Sequence, residues 1–169
     1  MVLTKSELIG LLQHEVNILI HLAGKVDERS IDYRPTAGQR TTIEWLRYLT
    51  IMGPQLIKGT KAGSFDRAAW TVADQAVSKL TLDQIKATLA TQGELIAAEI
   101  GAMSDADFRG EIEMFGRKST RGAFLVSHVL CGYAAYRAQI FNHLKICGRE
   151  ELNTMNLWAG MDTPVAATS

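Results

Sequence analysis

Apolar residues recur every three or four positions along four stretches of this chain, which is the spacing of amphipathic α-helices. The pattern predicts helices over residues 5–27, 42–58, 82–103 and 120–147. The fourth helix is apolar on nearly every side, so we expect it to be buried over most of its surface. Residues that the pattern places in the core include Leu11, Leu19, Trp45, Leu49, Leu125 and Val129.

Start and stop signals agree with these helices. Three of the four open with a capping box, in which a Thr and a Glu or Gln three positions later each bind the other's backbone N–H. These pairs are Thr4/Glu7, Thr41/Glu44 and Thr81/Gln84, and Gly148 is placed to end the fourth helix. The segment 59–80 is expected to be partly helical around 65–76, and 105–118 to be extended. With no convincing strand, the predicted fold class is an all-α four-helix bundle.

The chain beyond Gly148 is too apolar for a free tail. Residues 150–162 carry Leu152, Met155, Leu157 and Trp158, so we expect this segment to pack on the bundle as a short C-terminal extension. Residues 163–169 are predicted to be disordered. A length of 169 residues suits one domain, so residues 1–162 are assigned to a single helical-bundle domain.

Net charge and the absence of long apolar stretches exclude some classes of binding partner. The chain has 18 basic and 18 acidic residues, and this zero net charge argues against electrostatic binding to nucleic acid or to a membrane surface. The start has no basic leader ahead of an apolar run, and no apolar stretch is long enough to span a membrane. We therefore expect a cytoplasmic protein with no nucleic-acid or membrane partner.

The two cysteines fit that compartment. If Cys131 and Cys147 lie on one helix, they are about 24 Å apart at 1.5 Å per residue, too far for a disulfide within the chain. Neither has a partner at CxxC spacing. We interpret both as reduced thiols in the core.

Two histidines of the first helix invite a metal hypothesis that helical geometry disfavours. His14 and His21 fall near each other on the side away from the apolar stripe, but they lie two turns, or about 10 Å, apart. A second ligand on one helix belongs three or four positions away. We interpret them as surface or interface histidines.

A strip of polar and small residues follows the otherwise apolar fourth helix. It consists of His128, Gly132, Tyr136, Gln139 and His143. Two interpretations stay open from periodicity alone. The strip is either a site of close helix packing with each polar group satisfied locally, or the lining of a cavity. On the second helix, Tyr48 lies at the edge of the core stripe, where a tyrosine usually packs with its hydroxyl in water.

Three stretches carry a resemblance to a known family. The first is Arg34-Pro35 leading into residues 42–49, the second is 105–108 ahead of 115–120, and the third is 128–140 ending at Gly148. In this order and spacing they resemble the DinB/YfiT-like proteins, four-helix-bundle proteins taken to be metal-dependent enzymes. The resemblance spans about residues 5–148 and implies the DinB-like bundle fold.

The resemblance also implies a metal site that this chain lacks. The family holds its metal with one histidine from the second helix and two, four positions apart, from the last. The equivalent positions here are Tyr48, Gly132 and Tyr136. Glycine has no side chain and neutral tyrosine is a poor ligand for zinc or nickel. We predict no metal and no other cofactor, and either a smaller polar-lined pocket or a tyrosine-filled core with His128 or Gln139 as partners for the tyrosine hydroxyls.

Three functions follow, in this order. The first is metal-free binding of a small organic ligand in a pocket between the second and fourth helices, lined by Trp45, Tyr48, His128, Gly132, Tyr136 and Gln139. The second is an enzyme, either a thiol-dependent transferase of the kind the family suggests or one that uses His128 as base and Tyr136 as acid. The third is a catalytically dead protein that acts by assembly. The family resemblance implies a homodimer, and the apolar segment 152–158 is a candidate interface.

Overall fold

Four long helices form the body of the protein, and the computed structural model describes residues 3–163. Three of them are α1 (Lys5–Ala23), α2 (Thr42–Ala62) and α4 (Leu82–Gly101). The fourth, called the last helix below, runs without interruption through α6 (Arg121–Phe124), a π-helical segment (Leu125–Leu130) and α7 (Cys131–Ile146). The shorter elements are α3 (Arg67–Val77), α5 (Asp105–Arg109), β1 (Glu111–Met114), β2 (Arg117–Thr120) and α8 (Thr154–Trp158). This is the all-α bundle that the sequence predicts.

The helix starts agree with the sequence better than the helix ends. All three predicted capping boxes form, at Thr4, Thr41 and Thr81. However, α1 ends at Ala23, four residues before the predicted end, and α2 continues past 58 to Ala62. Caps are local hydrogen bonds that a sequence displays directly, whereas a helix end also depends on what packs against it.

Helix α2 continues through Pro54 because another helix satisfies the carbonyl that this proline frees. Proline has no N–H, so the Thr50 carbonyl loses its partner within α2. Gln92 of α4 donates from Nε2 to Thr50 O at 2.8 Å, and its Oε1 accepts from the Tyr133 hydroxyl at 2.9 Å. Gly53 makes room for that hydroxyl, because a Cβ at this position would overlap it. We call Gly53, Gln92 and Tyr133 the interior network.

The core lies where the apolar stripes meet, with one correction. Leu19, Trp45, Leu49, Leu125 and Val129 are buried, but the prediction for Leu11 is wrong, since this residue is 43% exposed. Its neighbour Leu12 is fully buried. Only Leu8 and Leu12 are buried in the first half of α1, and Leu11 points about 100° away from Leu12.

The C-terminal segment packs across α1 and α7, as predicted. Leu152 and Asn156 are buried. Asn156 Nδ2 donates to His21 Nε2 at 3.0 Å, and the Trp158 carbonyl lies 2.8 Å from His14 Nε2. Both histidines of α1 therefore contact this segment rather than each other.

The last described residue is Thr163, whose hydroxyl accepts a hydrogen bond from Asn153 Nδ2 at 2.9 Å. The predicted tail begins at that residue. The rest of it, 164–169, lies outside the described residues.

The segment predicted to be extended is half helix and half hairpin. Residues 105–109 form α5, and β1 pairs with β2 in antiparallel register from Glu111↔Thr120 to Met114↔Arg117. Two residues, Phe115 and Gly116, make the turn. The hairpin is held against the bundle by Ile112 and Met114, which pack in a small buried cluster with Phe124.

The cysteines are unbonded, but neither belongs to the core. Cys131 is exposed and Cys147 is partly exposed. The apolar pattern predicted burial over most of the last helix, whereas the groove described below leaves the side that carries Cys131 open. Among residues 3–163, no helix has the length and the apolar character needed to cross a membrane.

Candidate functional site

A groove of about 680 Å³ runs between α2 and the last helix. The hairpin and the stretch from the end of α2 into α3 form its other sides. Its lining residues are Tyr48, Met52, Leu56, Phe65, Trp70, Phe115, Ser127, His128, Cys131, Gly132, Ala135, Tyr136 and Gln139. No Asp, Glu, Lys or Arg is among them.

Six rings of this lining form a continuous chain of contacts, which we call the aromatic wall. Its members, in order of contact, are His128, Phe115, Phe65, Trp70, Tyr48 and Tyr136. Successive ring centroids lie 5.2 to 5.8 Å apart, inside the range in which aromatic pairs attract each other. The first and last rings of this series, His128 and Tyr136, both belong to the last helix, so the helix and the rings together surround the groove.

Small and flexible side chains form the floor. Gly132 and Ala135 belong to the last helix, and Met52 comes from α2. A Cβ at Gly132 would lie 3.0 Å from Met52 Sδ, so the methionine occupies the space next to the glycine. The expectation of a tyrosine-filled core is therefore wrong in this respect. Met52 fills the gap, while the tyrosines stand at the sides of an open groove.

Five of the six predicted pocket residues line this groove: Tyr48, His128, Gly132, Tyr136 and Gln139. Trp45 does not line it. Its ring stacks on Tyr136 at 4.5 Å and supports that ring from behind. Not all of the polar strip predicted along the last helix lines the groove. Its final member, His143, is buried, and its Nδ1 lies 3.0 Å from the Thr42 hydroxyl.

His128 is held by neighbours that the sequence did not suggest. It belongs to the π-helical segment, a wider turn that occurs often at functional sites. Its Nδ1 lies 2.8 Å from the Ser127 hydroxyl, and its ring stacks on Phe124 at 5.0 Å. Of the two partners considered for the tyrosine hydroxyls, His128 is hydrogen-bonded to Ser127 instead.

The two groove tyrosines influence each other. Burial raises the pKa of Tyr48 well above its ordinary value, and the neighbouring Tyr136 hydroxyl raises it further. The Arg40 guanidinium lies 4.4 Å from the centre of the Tyr48 ring, and its charge acts against this shift without reversing it. Tyr48 is therefore a neutral phenol at neutral pH, able to donate a hydrogen bond.

These residues do not fit the metal that the family resemblance implies. A protonated phenol at Tyr48 is a poor ligand for zinc or nickel. Gly132 offers no donor atom, and the space beside it holds Met52. Within residues 3–163, no three His, Cys, Asp or Glu side chains come together closely enough to hold a metal ion. No chemical step in this groove is therefore assigned to a metal.

Sequence reasoning missed half of the aromatic wall. Phe65 and Trp70 lie in the segment between α2 and α4, and Phe115 lies at the hairpin turn. Helical periodicity locates residues within one helix and says nothing about a turn that folds back onto it. The available signal was Gly116, which follows the short alternating run 111–114 and favours a turn there; Phe115 itself gave no signal.

Comparison with known proteins assigns the fold. No family model matches the sequence, and no curated protein matches it. Among solved structures, the crystal structure of a DinB-like protein, YjoA from Bacillus subtilis, is similar over 87% of this chain and 95% of that protein, with a TM-score of 0.67. The two sequences are 18% identical, a level at which the likeness speaks for the fold. The chain thus has a DinB-like fold, as the sequence motifs predicted.

Proposed function

Taking the DinB-like fold as the premise, we propose that this chain binds a small organic molecule in the groove between α2 and the last helix, without a metal ion. The observation that carries the proposal is the aromatic wall. Six rings contact one another around about 680 Å³ of open space instead of closing over it. Binding pockets for small molecules are concave, mostly apolar and commonly 300–1,000 Å³ in volume.

The polar groups of the groove support the same proposal. Ser127 and His128 lie together at the π-helical segment, and Gln139 lies further along α7. A few polar groups in an apolar pocket orient a ligand, while apolar contact supplies most of the affinity. The absence of Asp, Glu, Lys and Arg from the lining favours a neutral ligand.

A neutral fluorescent probe, N-phenyl-1-naphthylamine, tests this proposal. We expect its emission to rise on adding the protein and to saturate at one equivalent. Ala135→Phe puts a ring into the groove and should abolish the rise. The matched control is Ala98→Phe on the exposed side of α4, which should leave probe binding unchanged. Equal binding by both variants would contradict a site in this groove.

The metal-free part of the proposal has its own test. Protein purified without chelator or metal-affinity steps should contain no stoichiometric transition metal by elemental analysis. Restoring the family's ligands with Tyr48→His, Gly132→His and Tyr136→His should create a zinc or nickel site. Displacing Met52 should cost about 1–3 kcal/mol, and added metal should raise the melting temperature again. One equivalent of metal in the natural protein would contradict the proposal.

An enzymatic role is the second candidate, because His128 and Tyr136 line the same groove. On this alternative His128 takes a proton from the substrate and Tyr136 donates one. The family-type reaction can be assayed as consumption of a low-molecular-weight thiol by a chromogenic electrophile. Activity that is lost in His128→Gln, with N-phenyl-1-naphthylamine still bound, would favour the enzyme over the binding protein.

Assembly and compartment complete the proposal. The C-terminal segment leaves Trp158 61% exposed and Met155 39% exposed, so it offers apolar surface to a second copy of the chain. We expect a homodimer, and light scattering that shows a monomer across the micromolar range would overturn this. The two unbonded cysteines fit a reducing compartment such as the cytoplasm.

A further inference from the structure

The turn of the β-hairpin carries an anomaly in its backbone. Phe115 has a φ of +55°, and it is the one residue other than glycine with a positive φ between 3 and 163. Gly116, the second turn residue, has a φ of +71°. Two successive positive φ angles are what a type I′ hairpin turn requires, and the first position strongly favours Asn, Asp or Gly. A bulky aromatic residue is an outlier there.

The strained backbone places the Phe115 ring in the aromatic wall. Its centroid lies 5.2 Å from that of Phe65 and 5.4 Å from that of His128. Phe115 is thus the link between the side of the groove built by α2 and α3 and the side built by the last helix. The residue is nevertheless 50% exposed, so these contacts leave much of the ring uncovered. Burial of the ring does not account for the strain.

We propose that Phe115 is a ligand-contact residue, held over the groove by its left-handed backbone, and that the ligand is a neutral molecule with a flat aromatic ring system. This inference rests on the proposed binding function and names its ligand class. Strained residues cluster at ligand-binding sites, where the surrounding structure holds them in place. Here the anchored strands hold the turn, and Ile112 and Met114 fix it from below.

The ring geometry selects a flat ligand. Aromatic faces attract other aromatic rings in stacked or edge-to-face arrangements beyond what apolar area alone contributes. The wall offers such faces from the hairpin, from α3 and from the last helix, here Phe115, Trp70 and Tyr136. The lining contains no Asp, Glu, Lys or Arg to pair with a charged ligand. Ser127 and Gln139 remain for one or two hydrogen bonds at the edge of the ring.

The test compares two probes of the same skeleton, 2-naphthol and decahydro-2-naphthol, by calorimetry. Both carry one hydroxyl, but only the first is flat and aromatic. We expect the natural protein to bind 2-naphthol at least about tenfold more tightly than its saturated counterpart. Equal affinity for the two compounds would overturn the assigned ligand class.

Two variants separate the role of the ring from the role of the turn. Phe115→Asn suits the left-handed position, so it should raise the melting temperature while weakening 2-naphthol binding about tenfold. Phe115→Leu keeps the backbone strain and much of the apolar bulk but lacks the ring, so it should reduce the preference for 2-naphthol. Unchanged 2-naphthol affinity in both variants would overturn the role of Phe115.

Failure of this inference differs from failure of the proposed function. If Ala135→Phe abolishes 2-naphthol binding but both Phe115 variants bind it normally, the groove stands as the site and Phe115 is excluded. If the natural protein binds neither 2-naphthol nor N-phenyl-1-naphthylamine, the binding function itself fails. If Phe115→Asn does not fold, the probe preference of Phe115→Leu decides the question.

Discussion

Two tyrosines of the same helix, three positions apart, have opposite environments. Tyr133 is completely buried, and its hydroxyl donates to Gln92 in the interior network. Tyr136 lines the open groove, with Trp45 stacked behind it and Tyr48 beside it. Three helical positions leave the two side chains only about 60° apart round the helix axis and almost one turn apart along it, so the core and the groove meet along this edge of the last helix.

The difference separates what holds the bundle together from what is available for binding. In the interior network each polar group has a partner, so removing any member leaves another buried and unpaired. The aromatic wall depends on ring contacts, which tolerate rearrangement and leave ring surface free for a ligand. We expect changes in the network to lower stability, and changes in the wall to alter binding with little effect on stability.

The largest effect should come from Gly53→Ala. In an ordinary helix interior this change is favourable, but here the new Cβ would overlap the Tyr133 hydroxyl. Overpacking and loss of the bond to Gln92 should together lower the free energy of unfolding by about 3–5 kcal/mol, measured by urea denaturation.

Gly10 provides the matched control. It lies inside α1 with nothing within 4 Å of a Cβ. Gly10→Ala should therefore raise the free energy of unfolding by about 0.5–1 kcal/mol. If the two substitutions change the free energy of unfolding in the same direction, Gly53 and the Tyr133 hydroxyl are not in close contact.

Gln92→Leu should have the second largest effect. It leaves the Thr50 carbonyl, already without its helical partner because of Pro54, and the Tyr133 hydroxyl both buried and unpaired. We expect the free energy of unfolding to fall by about 2–3 kcal/mol in urea denaturation. Gln13→Leu removes a half-buried bond to Gly93 O and should cost less than about 1 kcal/mol. Equal losses would mean that Gln92 does not satisfy the carbonyl freed by Pro54.

The sequence predicts features that lie within one helix better than contacts between helices. Capping boxes at Thr4, Thr41 and Thr81 are complete within four residues, so the helix starts could be read directly. The polar strip of the last helix could be predicted because residues three or four positions apart lie on the same face of a helix. The contact of Gly53 with Tyr133 joins two helices, and no periodicity within either helix encodes it.

The same reasoning explains the missed part of the site. Phe115 enters the groove through a turn geometry that its residue type disfavours, so local preference pointed away from the observed structure. Met52 was missed for another reason, since the empty space at Gly132 was expected to attract the tyrosines. An unbranched methionine fills irregular gaps more readily than a rigid ring.

A smaller effect should appear in the pH dependence of stability. Burial lowers the pKa of His143, which lies 3.0 Å from the Thr42 hydroxyl. As the pH falls below about 6.5, the unfolded chain therefore takes up this proton before the folded protein does, so stability is lost toward acid pH. Burial also lowers the pKa of His21, which adds to the same trend.

His143→Gln should make the decline in unfolding free energy between about pH 6.5 and 5 shallower, and a further His21→Gln shallower still. Urea denaturation at several pH values measures it. A slope that neither substitution changes would show that other groups control stability in this range.

The smallest change in stability is expected for Tyr136→Phe, which tests the opening comparison most directly. Its hydroxyl lies at the open groove, beside the hydroxyl of Tyr48. Its loss should alter the free energy of unfolding by less than about 0.5 kcal/mol. Tyr133→Phe, the same change three positions earlier, leaves Gln92 Oε1 buried and unpaired and should cost about 1–3 kcal/mol. Comparable losses would mean that the groove tyrosines belong to the stabilising core, and that the aromatic wall is packing instead of a binding surface.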